Sequence, residues 1–268
     1  MPKAKFEKMD ANIGSKLNAR QRGYLALFGE MAMRMTCGFW WSSKSGNEEA
    51  IIRGNATVCL VNTGVRHIGI TCDHVYQGYL DDKNGFDSVE CQFGENTFDP
   101  ESRLIDRSPL GELDLATFDV PEVFVAASGR NYYHNALKWP PDSLCQTDVV
   151  LFGGYPQILR QSRFTQVDFK FQWFASTVNS VNEQRIVLEA SVDRMIWAGH
   201  PEEEVRNKRL GGQSGGPVYR VIDADPKTGE LLDRIELVGV IDRQVMDDLI
   251  LAKPASLVRS DGTLAKPI

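Results

Sequence analysis

The chain has few cysteines, and the ones it has form no pattern. Five occur among 268 residues, none in a Cys-x-x-Cys pair, and they stand at Cys37, Cys59, Cys72, Cys91 and Cys145. An odd and scattered set argues against a disulfide framework and against a zinc site. Free thiols in a reducing compartment are the simpler interpretation, and we expect the protein to use no metal and no cofactor.

The sequence also lacks the long apolar runs of a membrane protein. No stretch approaches the length required to span a bilayer. The first eight residues, Met1–Lys8, contain lysines but no apolar run behind them, which does not fit a secretory signal. We therefore expect a cytoplasmic protein with no membrane partner.

An excess of positive charge is absent too. The formal net charge is −6, and the charged residues are mixed in sign along the chain. Nucleic-acid-binding proteins usually carry a basic patch or stripe, so we expect no nucleic-acid partner.

What the sequence does contain is a serine surrounded by glycines. The segment Gly211–Pro217 reads Gly-Gly-Gln-Ser-Gly-Gly-Pro, with Ser214 at its centre. Glycines accept backbone angles closed to other residues and let a substrate carbonyl approach the main chain. The amides of Gly212 and Ser214 are therefore candidates for binding an oxyanion. The motif alone leaves two interpretations open, a nucleophile turn and an ordinary glycine-rich surface turn.

Histidine is scarce, and its position in the chain decides between two enzyme classes. A serine nucleophile needs a base, usually a histidine held by a carboxylate. All four histidines, His67, His74, His134 and His200, precede Ser214. The Gly-x-Ser-x-Gly elbow of α/β-hydrolases is therefore excluded, because its histidine follows the serine. The order histidine, aspartate, serine remains.

Two segments supply a candidate base and its carboxylate. A strand-like run at Ile68–Thr71 leads to His74, and a single aspartate, Asp114, stands among core-like residues at 113–118. Burying a carboxylate without a partner is costly, which suggests that an imidazole holds Asp114 in place. Two other aspartates are weaker candidates, expected in loops or at the surface, namely Asp106 and Asp119.

These segments resemble the chymotrypsin/trypsin-like serine protease family, of the disulfide-free bacterial type. Further similarity lies in a strand-like segment at 54–61, in Gly-Tyr-Pro at 154–156, and in the strand-like run at 237–241. The resemblance implies an all-β, two-barrel chymotrypsin-like fold, a double six-stranded β-barrel. It also implies a catalytic triad, composed of His74, Asp114 and Ser214.

The same resemblance implies residues that bind substrate. In the family, the strand after the serine lines the primary specificity pocket and pairs with substrate backbone, which assigns this role to Val240 and Ile241. Counting back from Ser214 to the floor of that pocket gives Lys208. A lysine there disfavours arginine or lysine side chains and leaves acidic or small ones as candidates.

One helix is expected before the strands. Apolar side chains recur at helical spacing at Leu17, Tyr24, Leu27, Phe28 and Met31, which predicts a helix over residues 18–35. We expect this helix to be a structural brace, with a docking or regulatory element as the alternative. The predicted organisation is a helical extension at 1–36, a first barrel at 37–135, and a second barrel with a C-terminal segment at 136–268.

The expected function is hydrolysis of peptide bonds by a serine endopeptidase, with a protein or peptide as substrate. Gln213 stands where zymogen-type members carry an aspartate that pairs with a freed N-terminus, so we expect no such activation switch. Two alternatives stay open. One is a protease-like scaffold that binds peptides or partners without cutting them, and the other is a dormant protease that an activating protein partner switches on.

Overall fold

The computed structural model describes residues 19–44, 50–134, 138–146, 148–163, 166–190, 196–198, 211–224, 231–245 and 249–265. Strands dominate these residues and form two large sheets, so the expected all-β class is confirmed. No helix among them is both long and apolar enough to cross a bilayer. Residues 1–18, the start of the predicted helical extension, lie outside the described residues.

The first sheet takes its strands from residues 36–134. They are β1 (Thr36–Ser43), β2 (Ile51–Asn62), β3 (His67–Thr71), β4 (Val89–Phe93), β5 (Asn96–Thr97), β6 (Leu104–Ser108), β7 (Leu115–Asp119) and β8 (Tyr133–His134). Their order is β5-β4-β1-β2-β3-β7-β6, and β8 adds parallel to the end of β2. The helices that precede or connect them are α1 (Ala19–Arg34), α2 (Asp73–Gly85), α3 (Pro100–Arg103) and α4 (Glu122–Ala127).

The second sheet contains a closed six-stranded barrel. The strands of this part of the chain are β9 (Val149–Gly154), β10 (Gln161–Arg163), β11 (Gln166–Asp168), β12 (Gln172–Val181), β13 (Ile186–Glu189), β14 (Ile196–Ala198), β15 (Pro217–Ala224), β16 (Leu231–Val245) and β17 (Leu249–Pro254). Because β12 pairs with both β9 and β13, the ring β9-β12-β13-β17-β16-β15 closes. β14 adds to β12, and β10 and β11 form a separate hairpin.

One barrel is thus present, whereas a second is not established. Among the described residues no pairing joins β5 to β6, the two ends of the first sheet. The double six-stranded barrel and the domain boundaries after residues 36 and 135 stay predictions.

The side chains form three hydrophobic cores, because successive residues of a strand point to opposite faces. On β2, Val58 and Leu60 pack in the core of the first sheet. Cys59 alternates with them and belongs to a different core, which also contains Tyr219 and Leu237 from the barrel strands. The barrel has its own interior core. The mixed core, which we call the central core, ties the two sheets together.

The helix α1 matches the expected helix, but its predicted apolar face is buried only in part, at Phe28. Phe28, Ala32 and the following Met35 are buried in the central core. Leu27 and Met31, which the pattern placed on the buried face, are 53% and 39% exposed. Apolar residues occur on two sides of this helix. Their spacing alone therefore could not predict which side packs against the sheets.

Candidate active site

His74 lies at the start of a helix that is anchored on its N-terminal side. β3 ends at Thr71, α2 begins at Asp73, and His74 is the second residue of the helix. Asp73 is buried and binds Arg107 of β6 through both oxygens, with Nε–Oδ1 and Nη2–Oδ2 distances of 2.7 and 2.9 Å. A bidentate pair fixes orientation as well as charge, so the turn that carries His74 has a defined direction.

The His74 imidazole is hydrogen-bonded to Asp114. Nδ1 lies 2.9 Å from Asp114 Oδ2, and the His74 backbone N–H donates to Asp114 Oδ1 over 2.9 Å. When Nδ1 donates to a carboxylate, the neutral ring carries its proton there and leaves Nε2 free to accept one. The imidazole is 33% exposed and Asp114 only 1%. This is the arrangement of a general base held by a buried carboxylate.

The backbone of Asp114 is strained in a way that serves this contact. Its φ is +54°, a left-handed conformation that residues other than glycine seldom adopt. Its N–H donates to Pro109 O over 3.3 Å, which closes the turn before β7. Strain of this kind persists only where the surroundings fix it. Here the two hydrogen bonds from His74 hold the carboxylate, so the turn aims Asp114 at the imidazole.

The charge of Asp114 follows from two opposing effects. Burial raises the pKa of this carboxyl group, because a buried charge loses its hydration. The hydrogen bonds and the charge of His74 act in the other direction and bring the pKa of Asp114 below its usual value. Arg243 adds a contact from β16, with its Nη2 3.3 Å from Asp114 Oδ2. Asp114 is therefore a carboxylate at neutral pH.

The turn that carries Ser214 is fixed through its carbonyl groups. The Thr57 N–H donates to Ser214 O over 2.9 Å, and the Thr57 hydroxyl donates to Gly212 O over 3.0 Å. The Gln157 N–H donates to Gly211 O over 2.6 Å. Thr57 belongs to β2 and is fully buried, so the first sheet holds a turn that leads into the barrel.

Two amides of the same turn stay free. Within the described part of the chain, neither the Gly212 N–H nor the Ser214 N–H donates to a protein acceptor. Gly212 has a φ of +94°, and a side chain here would lie within 2.6 Å of Asn55 Nδ2 and Tyr155 O. Glycine is therefore required at this position. Two free amides in one turn form a site where an oxyanion can bind.

One carbonyl group connects the serine turn to the histidine. Ile241 O, on β16, accepts a hydrogen bond from the Gly215 N–H over 2.8 Å and from the Cys72 thiol over 3.0 Å. Gly215 directly follows Ser214, and Cys72 precedes His74 by two residues. Ile241 O therefore binds a residue adjacent to Ser214 and a residue two positions before His74, which brings the two segments to the same part of β16.

The residues predicted to bind substrate have different locations. Lys208 lies outside the described residues. Val240 and Ile241 are 1% and 2% exposed, and the N–H and carbonyl of Ile241 are both bonded inside the protein. Their side chains are core residues, and the open part of this strand begins at Arg243. The apolar run at 237–241 indicated a strand correctly, but a uniform run does not show which positions face a pocket.

The two alternative aspartates have structural partners of their own. Asp119 forms an ion pair with Arg66 over 3.0 Å, and both side chains are well exposed. Asp106 lies on β6, and its Oδ2 accepts a hydrogen bond from the Leu264 N–H over 2.9 Å. Neither touches an imidazole among the described contacts.

Sequence reasoning missed three residues that shape the site: Thr57, Asp242 and Arg243. The charged pair Asp242-Arg243 directly follows a buried apolar run, and that break in pattern was a usable signal. Thr57 gave no signal, because a threonine in a strand is ordinary and its role depends on a turn 155 residues further on.

Three potential metal ligands meet beside the imidazole. Ligand atoms of Cys72, His74 and Asp242 lie within 4.8 Å of one another. Each already has a partner in the protein: the Cys72 thiol donates to Ile241 O, His74 Nδ1 bonds Asp114, and Asp242 Oδ1 lies 2.9 Å from Arg243 Nε. Internal hydrogen bonds therefore account for this cluster.

Comparison with known proteins does not assign the chain to a family. No protein-family model matches the sequence, and no curated protein matches it either. One solved structure is described as "Aromatic interactions drive the coupled folding and binding of the intrinsically disordered Sesbania mosaic virus VPg protein". It is 15% identical over 83% of this chain and 91% of that chain, with a TM-score of 0.41.

Proposed function

We propose that the protein is a trypsin-like serine endopeptidase that hydrolyses peptide bonds through an acyl-enzyme. The observation that carries the proposal is the 2.9 Å contact between His74 Nδ1 and the buried Asp114. The Ser214 turn, with its free amides, reaches the same region through Ile241. A base held by a carboxylate, with a half-buried serine turn in the same region, is the arrangement on which the proposed acyl transfer rests.

In the proposed reaction each group has one task. His74 Nε2 takes the proton of the Ser214 hydroxyl while its oxygen attacks the substrate carbonyl, and Asp114 stabilises the imidazolium. The N–H groups of Gly212 and Ser214 bind the tetrahedral oxyanion. The imidazolium gives its proton to the leaving amine, and water, activated by the same base, then hydrolyses the acyl-enzyme.

The proposal extends to the fold and the cell compartment. The closed barrel, the first sheet and the central core support a two-barrel chymotrypsin-like architecture in which the site lies between the two halves. All five cysteines are free, which supports a reducing compartment such as the cytoplasm.

Labelling with a fluorophosphonate probe tests the proposal, because the probe reacts with activated serines. We expect the wild type to be labelled and both Ser214→Ala and His74→Gln to be unlabelled. Ser88→Ala, which removes an exposed hydroxyl in another region, is the matched control and should label as the wild type does. Labelling of Ser214→Ala at full strength would show that the nucleophile is a different residue.

The same experiment separates the proposal from its two alternatives. A protease-like scaffold would stay unlabelled under every condition. A dormant protease would be labelled only after addition of cell lysate that contains its activator. The hydrogen bonds that already hold the serine turn favour an enzyme that is labelled without lysate.

A further inference from the structure

A cavity of about 360 Å³ lies beside the candidate catalytic pair. Asp114 forms part of its wall, so a group that binds here is close to the groups of the proposed reaction. A volume of this size accommodates a side chain of a bound peptide. The charged residues of the wall come from the turn before β7, the turn before β13, β16 and β17, and they are Glu112, Asp114, Arg185, Asp242, Arg243 and Lys253.

The three carboxyl groups of this wall already accept hydrogen bonds inside the protein. Asp114 and Asp242 both bond Arg243, over 3.3 and 2.9 Å. Glu112 accepts a hydrogen bond from the Ser108 hydroxyl over 3.0 Å. A basic ligand would have to compete with these internal donors, so the carboxyl groups do not make the cavity a site for a positive charge.

Two of the three cations of the wall lack such partners. Lys253 is only 8% exposed, and its Nζ lies 3.7 Å from Asp242 Oδ2, which is an ionic contact but too long for a hydrogen bond. No other acceptor binds this ammonium group within the described part of the chain. Arg185 is exposed, and its side chain has no hydrogen bond or ion pair with any described residue.

A carboxylate is the ligand that these two side chains lack. Buried polar groups in proteins are normally paired, and an ammonium group buried without an acceptor is costly. The ammonium group of Lys253 can donate three hydrogen bonds, and the guanidinium group of Arg185 can bind a carboxylate through two parallel ones. Leu110 and Leu251 also line the cavity and offer apolar contacts to the methylene groups of an acidic side chain.

We propose that this cavity, the Lys253 cavity, is a subsite for an acidic side chain of a peptide substrate. Lys253 donates to the carboxylate from inside the cavity, and Arg185 donates to it from the rim. The preference in cleavage rests on the proposed function, whereas the binding of the acidic side chain does not.

Hydrolysis of a peptide series tests the preference. In octapeptides of alanine, serine and glycine, one glutamate is moved through every position, and each peptide has twins with glutamine or lysine there. Mass spectrometry locates the cleaved bond. At one position relative to that bond, we expect glutamate to give a kcat/KM at least about tenfold above that of glutamine. Equal values at every position, or faster cleavage of the lysine twins, would overturn the proposal.

Two variants test the residues. Lys253→Met keeps the length of the side chain without its charge, and the ratio of kcat/KM for glutamate to that for glutamine should fall to about one. Because both peptides are cleaved by the same variant, a change in overall activity cancels from this ratio. A ratio that stays at the wild-type value would overturn the role of Lys253.

Arg185→Glu reverses the charge at the rim and should favour the lysine twin over the glutamate peptide. Arg259→Glu is the matched control, because Arg259 is also exposed but does not line the cavity, and it should keep the wild-type ratio. Should Lys253→Met fail to fold, Arg185→Glu decides alone, and an unchanged ratio in it would overturn the proposal.

Binding of the same peptides, labelled with fluorescein, to Ser214→Ala separates the subsite from the proposed function. By fluorescence anisotropy we expect the glutamate peptide to bind about tenfold more tightly than its glutamine twin, and the added Lys253→Met to remove the difference. If the wild type cleaves no peptide, the proposed function fails, while anisotropy still decides the subsite. Equal binding of the twins, or no binding at millimolar concentration, would overturn the subsite even in an active enzyme.

Discussion

At the scale of the residue, the candidate site is held by buried polar side chains that bond in more than one direction. Thr57 shows this most clearly. Its hydroxyl donates to Gly212 O and accepts from the Tyr155 N–H over 2.9 Å, while its own N–H donates to Ser214 O. One side chain thus joins the serine turn to the segment after β9, and the order of the turn depends on it.

We expect Thr57→Val to loosen the serine turn. Valine keeps the shape and the backbone donor but leaves Gly212 O and the Tyr155 N–H without their partner, a loss of about 1–3 kcal/mol in the free energy of unfolding. The rate of fluorophosphonate labelling should fall with it. Urea unfolding and labelling kinetics measure the two effects.

Thr117→Val is the matched control for this variant. Thr117 is also fully buried, and its hydroxyl donates to Gly262 O over 2.7 Å in a different region. We expect a comparable loss of stability with an unchanged labelling rate. Labelling of Thr57→Val at the wild-type rate would show that the turn does not need this hydroxyl.

Asp114 gives a prediction for pH. Its pKa is lowered in the folded state, so its contribution to stability is present above the unfolded value of about 3.9 and is lost as pH falls through the folded value. We expect Asp114→Asn to be less stable than the wild type at pH 7, with a gap that narrows below about pH 4. Urea unfolding from pH 3 to 7 measures it, and a gap that does not change with pH would refute the lowered pKa of Asp114.

At the scale of the element, α1 and α2 show which structural features the sequence pattern predicts and which it does not. The helical spacing located α1 almost to the residue. It could not choose the buried face, because Leu27 and Phe28 are equally apolar and only the central core selects between them. The helix α2 was not anticipated, since its residues do not form a continuous apolar stripe.

The two neighbouring side chains of α1 allow a direct test of its role as a brace. Phe28→Ala should lower the free energy of unfolding by about 3–5 kcal/mol, because a buried aromatic ring is removed from the central core. Leu27→Ala, on the exposed side, should change it by less than about 0.5 kcal/mol. Equal effects in urea unfolding would mean that α1 is not packed as described.

The strands that carry the site were easier to predict than the contacts between them. The strand-like residues around His74 and Asp114 led to the expectation that an imidazole holds Asp114, and the contact between the two is present. The contact of Arg243 with Asp114 could not be derived that way. It depends on how β16 packs against the turn before β7. The two elements are distant in sequence, so no local sequence pattern indicates their contact.

At the scale of the whole molecule, the central core makes the two sheets one structure. It contains residues of β2 and β3 together with residues of β9, β15 and β16, and α1 closes it. The serine turn and the histidine come from different sheets, so the geometry of the site depends on this core. The pairing of the strands, and with it the closed barrel, was expected only through the family resemblance.

The distribution of the cysteines gives a prediction for the intact protein. Four are buried and Cys145 is exposed. Burial raises the pKa of Cys37 to about 12 and that of Cys59, Cys72 and Cys91 well above the usual value, so these thiols have little reactive thiolate. We expect one thiol to react rapidly with a chromogenic disulfide reagent in the native state, and the other four only after unfolding.

Cys145→Ser should remove the rapid phase and leave the four slow thiols unchanged. More than one rapid thiol in the native protein would mean that a buried strand is open to solvent.

The most direct test of the proposed active site is a crystal structure of the protein after reaction with a fluorophosphonate. We expect a bond between phosphorus and Ser214 Oγ, and a phosphoryl oxygen about 2.7–3.1 Å from the N–H groups of Gly212 and Ser214. The His74 imidazole should lie beside the bonded oxygen, still in contact with Asp114. A phosphonyl group on another residue, or an imidazole remote from Ser214, would contradict the proposed site.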